Sequence, residues 1–279
     1  MKRIKDILIK FKDLDPRELE IFLAEILHKD KSFIFARPEH KLSLFQYFKL
    51  VYFTCQRKHG YSVAAIIKHK EFYGLDFSVN KYTLIPRPDT EIMVDKAIAE
   101  INKIDKKIIL IDVGTGSGCI PISIRKTLVN KNINTIAIDI SKEALKIARK
   151  NAKNHSTDIN FYQGNLLRPI IQTIKSTASD SEIIITANLP YLTEKQFQTE
   201  PSIWREPKNA LVAKNNGLAL YEELLQQIKL AQISASIFLE IDPSQSEEII
   251  KIIKQYLPDS NIEIKKDLAG LDRLVKIIN

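Results

Sequence analysis

Apolar residues recur at helical spacing in the first quarter of the chain. The first stripe follows Asp15-Pro16, a pair suited to capping and starting a helix, and comprises Leu19, Phe22, Leu23, Ile26 and Leu27. A second stripe lies within residues 41–57 and comprises Leu44, Phe45, Phe48, Leu50, Val51 and Tyr52. We interpret both stripes as the core of a small helical bundle that spans residues 1–73.

The spacing of apolar residues changes after this region. Alternation over residues 72–79, and again over 82–85, predicts a hairpin, so we assign residues 74–88 to a linker between two domains. Pro86 and Pro88 keep the chain out of a helix until Asp89. Asp89 or Thr90 then caps an amphipathic helix that reaches about residue 104.

Short strands and helices alternate through the remaining domain, residues 89–279. Helices are predicted at about 120–128, 142–152, 218–232 and 246–256, and a polar turn at 173–181. Strands are predicted at 108–113, 135–139, 160–163, 183–187 and 237–241, and two final strands at 262–265 and 273–277 form a closing hairpin. We therefore expect an α/β fold with a Rossmann-like seven-stranded sheet that ends in an antiparallel hairpin.

The first strand of this sheet leads into a glycine-rich loop. Glycines allow positive φ angles and let a ligand approach the backbone, and the loop comprises Gly114, Thr115, Gly116, Ser117 and Gly118. A strand, a glycine loop and a helix together are typical of the opening unit of a nucleotide-binding fold. Asp112 is placed for a cationic amino group, and Asp139 at the next strand end suits a ribose diol.

The tetrapeptide Asn188-Leu189-Pro190-Tyr191 follows the strand at 183–187. The carboxamide oxygen of Asn188 and the backbone C=O of Leu189 could accept both hydrogens of a planar NH2 group, on which the ring of Tyr191 could stack. We interpret these three residues as catalytic and include Pro190 in a substrate site. The alternative is a strand end capped by an asparagine and a proline turn.

The composition indicates the cellular compartment and the kinds of partner to expect. The chain has 279 residues, no apolar run of membrane-spanning length and no signal-peptide pattern. Its two cysteines, Cys55 and Cys119, are far apart and give neither a disulfide framework nor a metal site, so we expect a reducing cytoplasm. The net charge of +8 fits either a surface for a polyanionic partner or a solvated shell.

Several longer motifs carry a family resemblance. They are residues 84–91 (LIPRPDTE), preceded by 71–74 (EFYG), then 112–120 (DVGTGSGCI), Glu206-Pro207, and the tail 266–273 (KDLAGLDR). The chain resembles class I S-adenosylmethionine-dependent methyltransferases, and more narrowly the release factor glutamine N5-methyltransferase family. That resemblance implies a helical substrate-recognition domain, S-adenosyl-L-methionine as cofactor, and methylation of the glutamine amide in the Gly-Gly-Gln motif of peptide chain release factors. We expect a monomeric, cytoplasmic enzyme.

The resemblance also assigns residues. It places the loop from Gly114 to Gly118, Asp139 and the pair Asn165-Leu166 at the cofactor, with Asn188 touching both cofactor and substrate. The family pattern differs at three positions, since proline, aspartate and glycine are usual where this chain has Leu189, Asn165 and Asp242. Leu189 retains its backbone C=O, and Asn165 retains one carbonyl acceptor.

Two alternative functions remain open from the residues alone. With leucine at position 189, the tetrapeptide also resembles that of ribosomal RNA adenine dimethyltransferases. An adenine N6-methyltransferase acting on RNA or DNA is therefore one alternative. A methyltransferase-like module that binds without catalysis is the other, favoured by Asn165. Direct binding of nucleic acid is likewise left open.

Overall fold

The computed structural model describes residues 2–177 and 180–279 and divides into two compact units, residues 1–68 and 69–279. The hairpin that we placed in a linker belongs to the second unit. Within the described ranges, no helix has both the length and the apolar composition to cross a membrane.

The first unit is helical, as predicted. It contains α1 (Ile4–Lys10), α2 (Pro16–Leu27), α3 (Lys31–Ala36), α4 (Leu44–Lys58) and α5 (Val63–Ile67). Asp15 caps α2, since its carboxylate accepts the N–H of Arg17 at 2.8 Å. The apolar face of α2 is buried with residues from the other helices, among them Ile4, Ile7, Ile34, Leu50 and Phe53.

The prediction that the stripe at 41–57 is core was wrong for most of its residues. Leu50 is buried, as is Phe53 in the same helix. The outer side of α4 is exposed and comprises Leu44, Phe45, Phe48, Val51 and Tyr52. Helical periodicity shows that a face is apolar without showing what covers it, and α4 is apolar on two sides of which this unit buries one.

The second unit opens with a β-hairpin of β1 (His69–Phe72) and β2 (Leu75–Ser78). Tyr73 and Gly74 form its turn with φ angles of 53° and 70°, the conformation of a tight two-residue hairpin turn. The hairpin therefore closes earlier than predicted, and residues 82–85 form no strand. They lie instead in the segment that leads to α6 (Glu91–Ile101).

The predicted α/β sheet is confirmed. Its strands are β3 (Lys107–Val113), β4 (Ile133–Asp139), β5 (Asn160–Gln163), β6 (Ser181–Ala187), β7 (Ser236–Glu240), β8 (Asn261–Lys266) and β9 (Asp272–Ile278). The helices that alternate with them are α7 (Cys119–Thr127), α8 (Lys142–Asn154), α9 (Ile171–Thr177), α10 (Glu194–Thr199), α11 (Ala219–Ala231) and α12 (Ser246–Tyr256).

Part of the predicted polar turn at 173–181 is helical. Helix α9 extends to Thr177 because Ile174 is buried in the core beside the sheet and anchors an otherwise polar segment. Residues 178–179 of that predicted turn lie outside the described residues.

The strand order is β5-β4-β3-β6-β7-β9-β8, with β3 to β7 parallel and β9 antiparallel to its neighbours. Side chains of α9, α11 and α12 share one buried cluster with the sheet, and side chains of α6 and α7 share another. The chain passes from β3 outward to β5 and then returns to β6 on the other side of β3. This topological switch opens a crevice at the carboxyl ends of the central strands.

Candidate active site

A cavity of about 320 Å³ occupies this crevice. The residues that border it come from the glycine loop after β3, from the ends of β4 to β6, and from the segment before α6, and include Gly116, Asp139, Asn165, Leu166, Asn188 and Leu84. The structure thus brings together side chains that the sequence placed at four separate strand ends. Pro86, Arg87 and Thr90 also line the cavity, although we had not assigned them to a site.

The glycine loop has the backbone that its sequence predicts. Gly114, Gly116 and Gly118 have φ angles of 75°, 55° and 80°, which strain other residues. A Cβ atom on Gly114 would lie 2.9 Å from the Leu189 side chain, and one on Gly118 would lie 3.1 Å from Ile122. The loop therefore needs glycine at these two positions both for its conformation and for its close packing.

Asp139 fixes the shape of this loop as well as lining the cavity. One carboxylate oxygen accepts the N–H of Gly116 at 2.8 Å, and the other accepts the N–H of Ser141 at 2.8 Å. Burial raises the pKa of the carboxyl, and these two hydrogen bonds oppose that shift. Each oxygen keeps a lone pair that could accept a hydroxyl of a ligand.

Asp112 is a buried carboxylate with one unused oxygen. Thr186 on the neighbouring strand donates its hydroxyl to Oδ1 at 2.7 Å, while Oδ2 makes no hydrogen bond to the described residues. Burial raises the pKa of Asp112 to about 6, and the hydroxyls of Thr115 and Thr186 act in the opposite direction. Asp112 does not itself line the cavity, whereas Thr115 and Ser117 do.

A neighbouring glutamate orients the carboxamide of Asn165. Its Nδ2 donates to Glu223 Oε1 at 2.7 Å, and Arg168 binds the same oxygen at 2.8 Å. The carbonyl oxygen of Asn165 is therefore free to accept a hydrogen bond from a ligand. The next residue, Leu166, is buried at the cavity with a φ angle of 51°, so this turn is backbone-strained.

The carboxamide of Asn188 is oriented in the same way. Its Nδ2 donates to the hydroxyl of Thr90 at 3.1 Å, which leaves Oδ1 as an acceptor. Because a hydroxyl can also donate, this orientation depends on the group to which Thr90 gives its own proton.

The backbone of Leu189 is held by a buried tyrosine. Its N–H donates to the hydroxyl of Tyr221 at 3.2 Å. That hydroxyl has one proton and is much closer to the C=O of Glu240 than to the C=O of Leu189, which is 3.4 Å away. The carbonyl of Leu189 therefore keeps its accepting capacity.

Pro190 lines the cavity, but Tyr191 contributes no atom to the lining. The Tyr191 hydroxyl donates to Glu240 Oε1 at 3.2 Å, and its backbone C=O accepts from Gln245 Nε2 at 2.8 Å. These bonds fix the turn that carries Asn188.

Three supporting contacts escaped our sequence reasoning. Tyr221 holds Leu189, Glu240 holds Tyr191, and the buried Glu206 holds the segment before α6 through the guanidinium of Arg87 and the N–H of Ile85. The sequence does contain one indication of Glu240, because this acid ends a central strand, and Asp112 lies one residue before the end of another.

Comparison with known proteins shows the family to which the chain belongs. The model of a methyltransferase domain matches residues 104–267. The release factor glutamine methyltransferase of Enterococcus faecalis is 38% identical over 77% of this chain and 74% of its own. The enzyme of that name from Dictyoglomus turgidum is 34% identical over 96% of this chain and 94% of its own. The N-terminal domain of human METTL16, solved with SAH, has the same fold, with a TM-score of 0.51 and 15% identity over 92% of this chain and 93% of that one.

The cavity fits the cofactor of such enzymes. A glycine loop allows close approach, and Asp139 and Asn165 belong to the lining. Asp112 lies outside the lining, where its buried carboxylate keeps one oxygen without a partner in the described chain. The chain belongs to the release factor glutamine methyltransferase family and is an S-adenosylmethionine-dependent methyltransferase of the class I fold.

Proposed function

We propose that this enzyme methylates the side-chain amide (N5) of the glutamine in the Gly-Gly-Gln motif of peptide chain release factors. The observation that carries this proposal is the carboxamide of Asn188, which lines the cavity together with the glycine loop and whose Nδ2 is bound by Thr90, so that Oδ1 remains as an acceptor. The family name shared by the relatives points to the same substrate.

An amide nitrogen is a poor nucleophile because its lone pair is delocalised into the carbonyl. We propose that Asn188 Oδ1 and the C=O of Leu189 accept its two hydrogens and aim the nitrogen at the cofactor side of the cavity. Orientation of this kind can lower a barrier by up to roughly 7–11 kcal/mol. The same two oxygens, fixed in a water-poor site, stabilise the positive charge that develops on nitrogen.

The turn after β6 supplies the rigidity that this requires. Tyr221 and Gln245 hold its backbone, and Tyr191 is held through its hydroxyl. We propose that Pro190 flanks the substrate amide and that Tyr191, which lies outside the lining, contributes by holding this turn in place. A strong base is unnecessary, since the alkylated nitrogen is acidic and loses its proton late.

Cofactor contacts follow from the same geometry. S-adenosylmethionine, when bound, supplies an electrophilic methyl group on a positively charged sulfur. We propose that Asp139 accepts hydrogen bonds from the ribose hydroxyls and that Asn165, beside Leu166, accepts one from the adenine amine. Asp112 would balance the charge of the amino group through its unpartnered oxygen.

The first unit is proposed to contact the release factor. It has no catalytic constellation, yet its 14 lysines and arginines against 8 acids give +6 of the chain's net +8. The outer side of α4 adds exposed aromatic rings to this charge, among them Phe45 and Phe48. A protein substrate needs such remote contacts, because one glutamine side chain carries little binding energy. With this substrate we also propose a cytoplasmic, monomeric enzyme.

A transfer assay tests the function. The protein is incubated with methyl-labelled cofactor and, separately, an intact release factor, the same factor with the Gly-Gly-Gln glutamine changed to asparagine, and ribosomal RNA. We expect label on the unchanged factor alone. Label on RNA would instead support the adenine alternative, which the names of the relatives do not favour, and cofactor binding with no label would support a non-catalytic module.

A further inference from the structure

Glu240 is a buried carboxylate that the mechanism above does not use. It ends β7 with an exposed fraction of 1%, and it belongs to no ion pair in the described residues. The hydroxyl of Tyr191 donates to Oε1 at 3.2 Å, whereas Oε2 is buried without a hydrogen-bond partner. A buried carboxylate is costly, so its retention here needs a reason beyond packing.

Thr90 connects this carboxylate to Asn188. Thr90 is 2% exposed, and its hydroxyl accepts a hydrogen bond from Asn188 Nδ2 at 3.1 Å. The backbone places Thr90 near Glu240, since Glu240 pairs with Leu274 in β9, and the adjacent Arg273 lies 3.5 Å from Asp89, the residue before Thr90. The Thr90 hydroxyl accordingly lowers the pKa of Glu240 and favours its ionised form. Since a hydroxyl has one proton, the proton of Thr90 has the unpartnered Oε2 as its natural acceptor.

We propose that Glu240 and Thr90 are positioning residues that set which way the Asn188 carboxamide faces. An ionised Glu240 can only accept, so Thr90 must donate to it and must then accept from Asn188. Only Nδ2 can make that last bond, which turns Oδ1 toward the cavity. The series of hydrogen bonds thus runs from Asn188 through Thr90 to Glu240. This positioning role rests on the function proposed above.

The donor and acceptor roles in this series of hydrogen bonds can reverse. A protonated Glu240 can donate to Thr90, which can then donate to Asn188 Oδ1. The carboxamide would flip and present its NH2 group to the NH2 group of the substrate, where two donors oppose each other. We therefore expect Asn188 to be competent only while Glu240 is ionised.

The surroundings of Glu240 shift its ionisation to a mildly acidic pH. Burial raises its pKa to about 6, while Thr90, Tyr191 and Arg273 lower it and Asp89 raises it. Tyr221 and Cys119 also face this charge, and their own pKa values are raised mainly by burial. Because the pKa is raised, the carboxylate is present above about pH 6 and is lost below it.

A magnetic resonance experiment tests the orientation without any substrate. The side-chain NH2 signals of Asn188 are assigned in the full chain by their loss in Asn188→Ala. We expect slow solvent exchange of one amide proton at pH 8, becoming at least about 10-fold faster in Thr90→Val or Glu240→Gln. Lowering the pH to 5 should shift these signals in the wild type but not in Glu240→Gln.

A matched control separates orientation from loss of a buried hydroxyl. Thr135 is 2% exposed in β4, and its hydroxyl has no hydrogen-bond partner in the described chain. Thr135→Val should leave the Asn188 signals unchanged. Signals of Asn188 that respond neither to Glu240→Gln nor to pH would overturn the proposal.

Kinetics with the release factor supply the second readout. At saturating cofactor, which removes effects of Asp112 on binding, Thr90→Val and Glu240→Gln should each lower kcat about 10- to 100-fold. The kcat of the double variant should be no lower than that of the worse single variant, because both changes break the same series of hydrogen bonds. Thr90→Ser should restore most of the rate, and Thr90→Val should lose the fall in kcat below about pH 6.

The two proposals fail differently. A wild-type protein that methylates no release factor contradicts the proposed function, while the resonance experiment still decides the orientation of Asn188. If Thr90→Val methylates the release factor at the normal rate and its kcat still falls below about pH 6, the positioning role is contradicted and the proposed function is not.

Discussion

The two units depart from ordinary burial in opposite ways. The second unit buries charge, since Asp112 and Glu240 are each 1% exposed at the carboxyl ends of the sheet. The first unit exposes aromatic rings, with Phe45 and Phe48 at 78% and 66% on α4. Both arrangements cost free energy, and such costs are typical of sites selected for function. The contrast supports our proposal that the second unit carries the chemistry and that the first unit recognises the release factor.

The largest effect should come from Asn188→Ala. It removes one of the two oxygens proposed to hold the substrate NH2 group, so kcat should fall at least about 100-fold, the scale for loss of a preorganised polar contact. Cofactor affinity should stay largely intact. Single-turnover kinetics and calorimetry measure the two quantities.

The matched control for this variant is Asn134→Ala, which changes an asparagine in β4 whose side chain bonds to Asn160 away from the cavity. It should transfer methyl groups at the wild-type rate. Turnover of Asn188→Ala within a few-fold of wild type would remove this carboxamide from the mechanism.

The second largest effect concerns the cofactor side of the same cavity. Asp139→Ala removes the acceptors for Gly116 and Ser141 and those proposed for the ribose. We expect the cofactor dissociation constant to rise roughly 10-fold or more. Isothermal titration calorimetry checks this, and an unchanged affinity would show that Asp139 is only a link between two loops.

These residues could be found in the sequence because parallel strands gather their carboxyl ends at one edge of a sheet. Asp112, Asp139, Asn165 and Asn188 each follow or end a recognisable apolar run, so the fold places them together. The glycine loop was predictable for the same reason, with its positive φ angles.

The supporting contacts could not be found in this way. Thr90 and Glu240 are 150 positions apart, and Tyr221 reaches Leu189 from a helix whose pattern shows only that the tyrosine is buried. Pairing of Asn165 with Glu223 is likewise a tertiary contact. The exposed side of α4 was mispredicted because apolar periodicity does not specify a partner.

A smaller effect should follow from changes on α4. Replacing Phe45 and Phe48 together by serine removes exposed apolar area without touching the core. The KM for intact release factor should rise about 5- to 10-fold, the scale of losing a few rim contacts. The kcat/KM for a short Gly-Gly-Gln peptide should not change, because such a peptide lacks the surface that we propose binds the first unit.

Leu230→Ser is the matched control, since Leu230 is 73% exposed in the second unit. It should alter neither substrate. Equal losses on peptide and intact factor in the α4 variant would show that the change acts on the catalytic unit and not on recognition.

The smallest effect is on stability. Burial raises the pKa of Asp112 to about 6, so ionisation of this group above that pH destabilises the cofactor-free fold. Asp112→Asn keeps an acceptor for Thr186 and should raise the melting temperature at pH 8 by a few degrees, about 2–4 °C per kcal/mol. The gain should shrink as the pH falls below 6, because the wild-type carboxyl is then neutral.

Asp105→Asn, at an exposed position, serves as the control and should leave the melting temperature unchanged at both pH values. A loss of stability at pH 8 in Asp112→Asn would contradict the assignment of a destabilising buried charge. Cofactor affinity should fall in the same variant.

The most direct test of the account is the location of the transferred methyl group. Tandem mass spectrometry of a release factor treated with the enzyme and S-adenosylmethionine reads the modified atom from the fragment masses. We predict a gain of one methyl group on the side-chain nitrogen of the Gly-Gly-Gln glutamine, and at least about 100-fold less of it in the same time with Asn188→Ala. A methyl group on any other residue, or an unmodified factor beside methylated RNA, would contradict it.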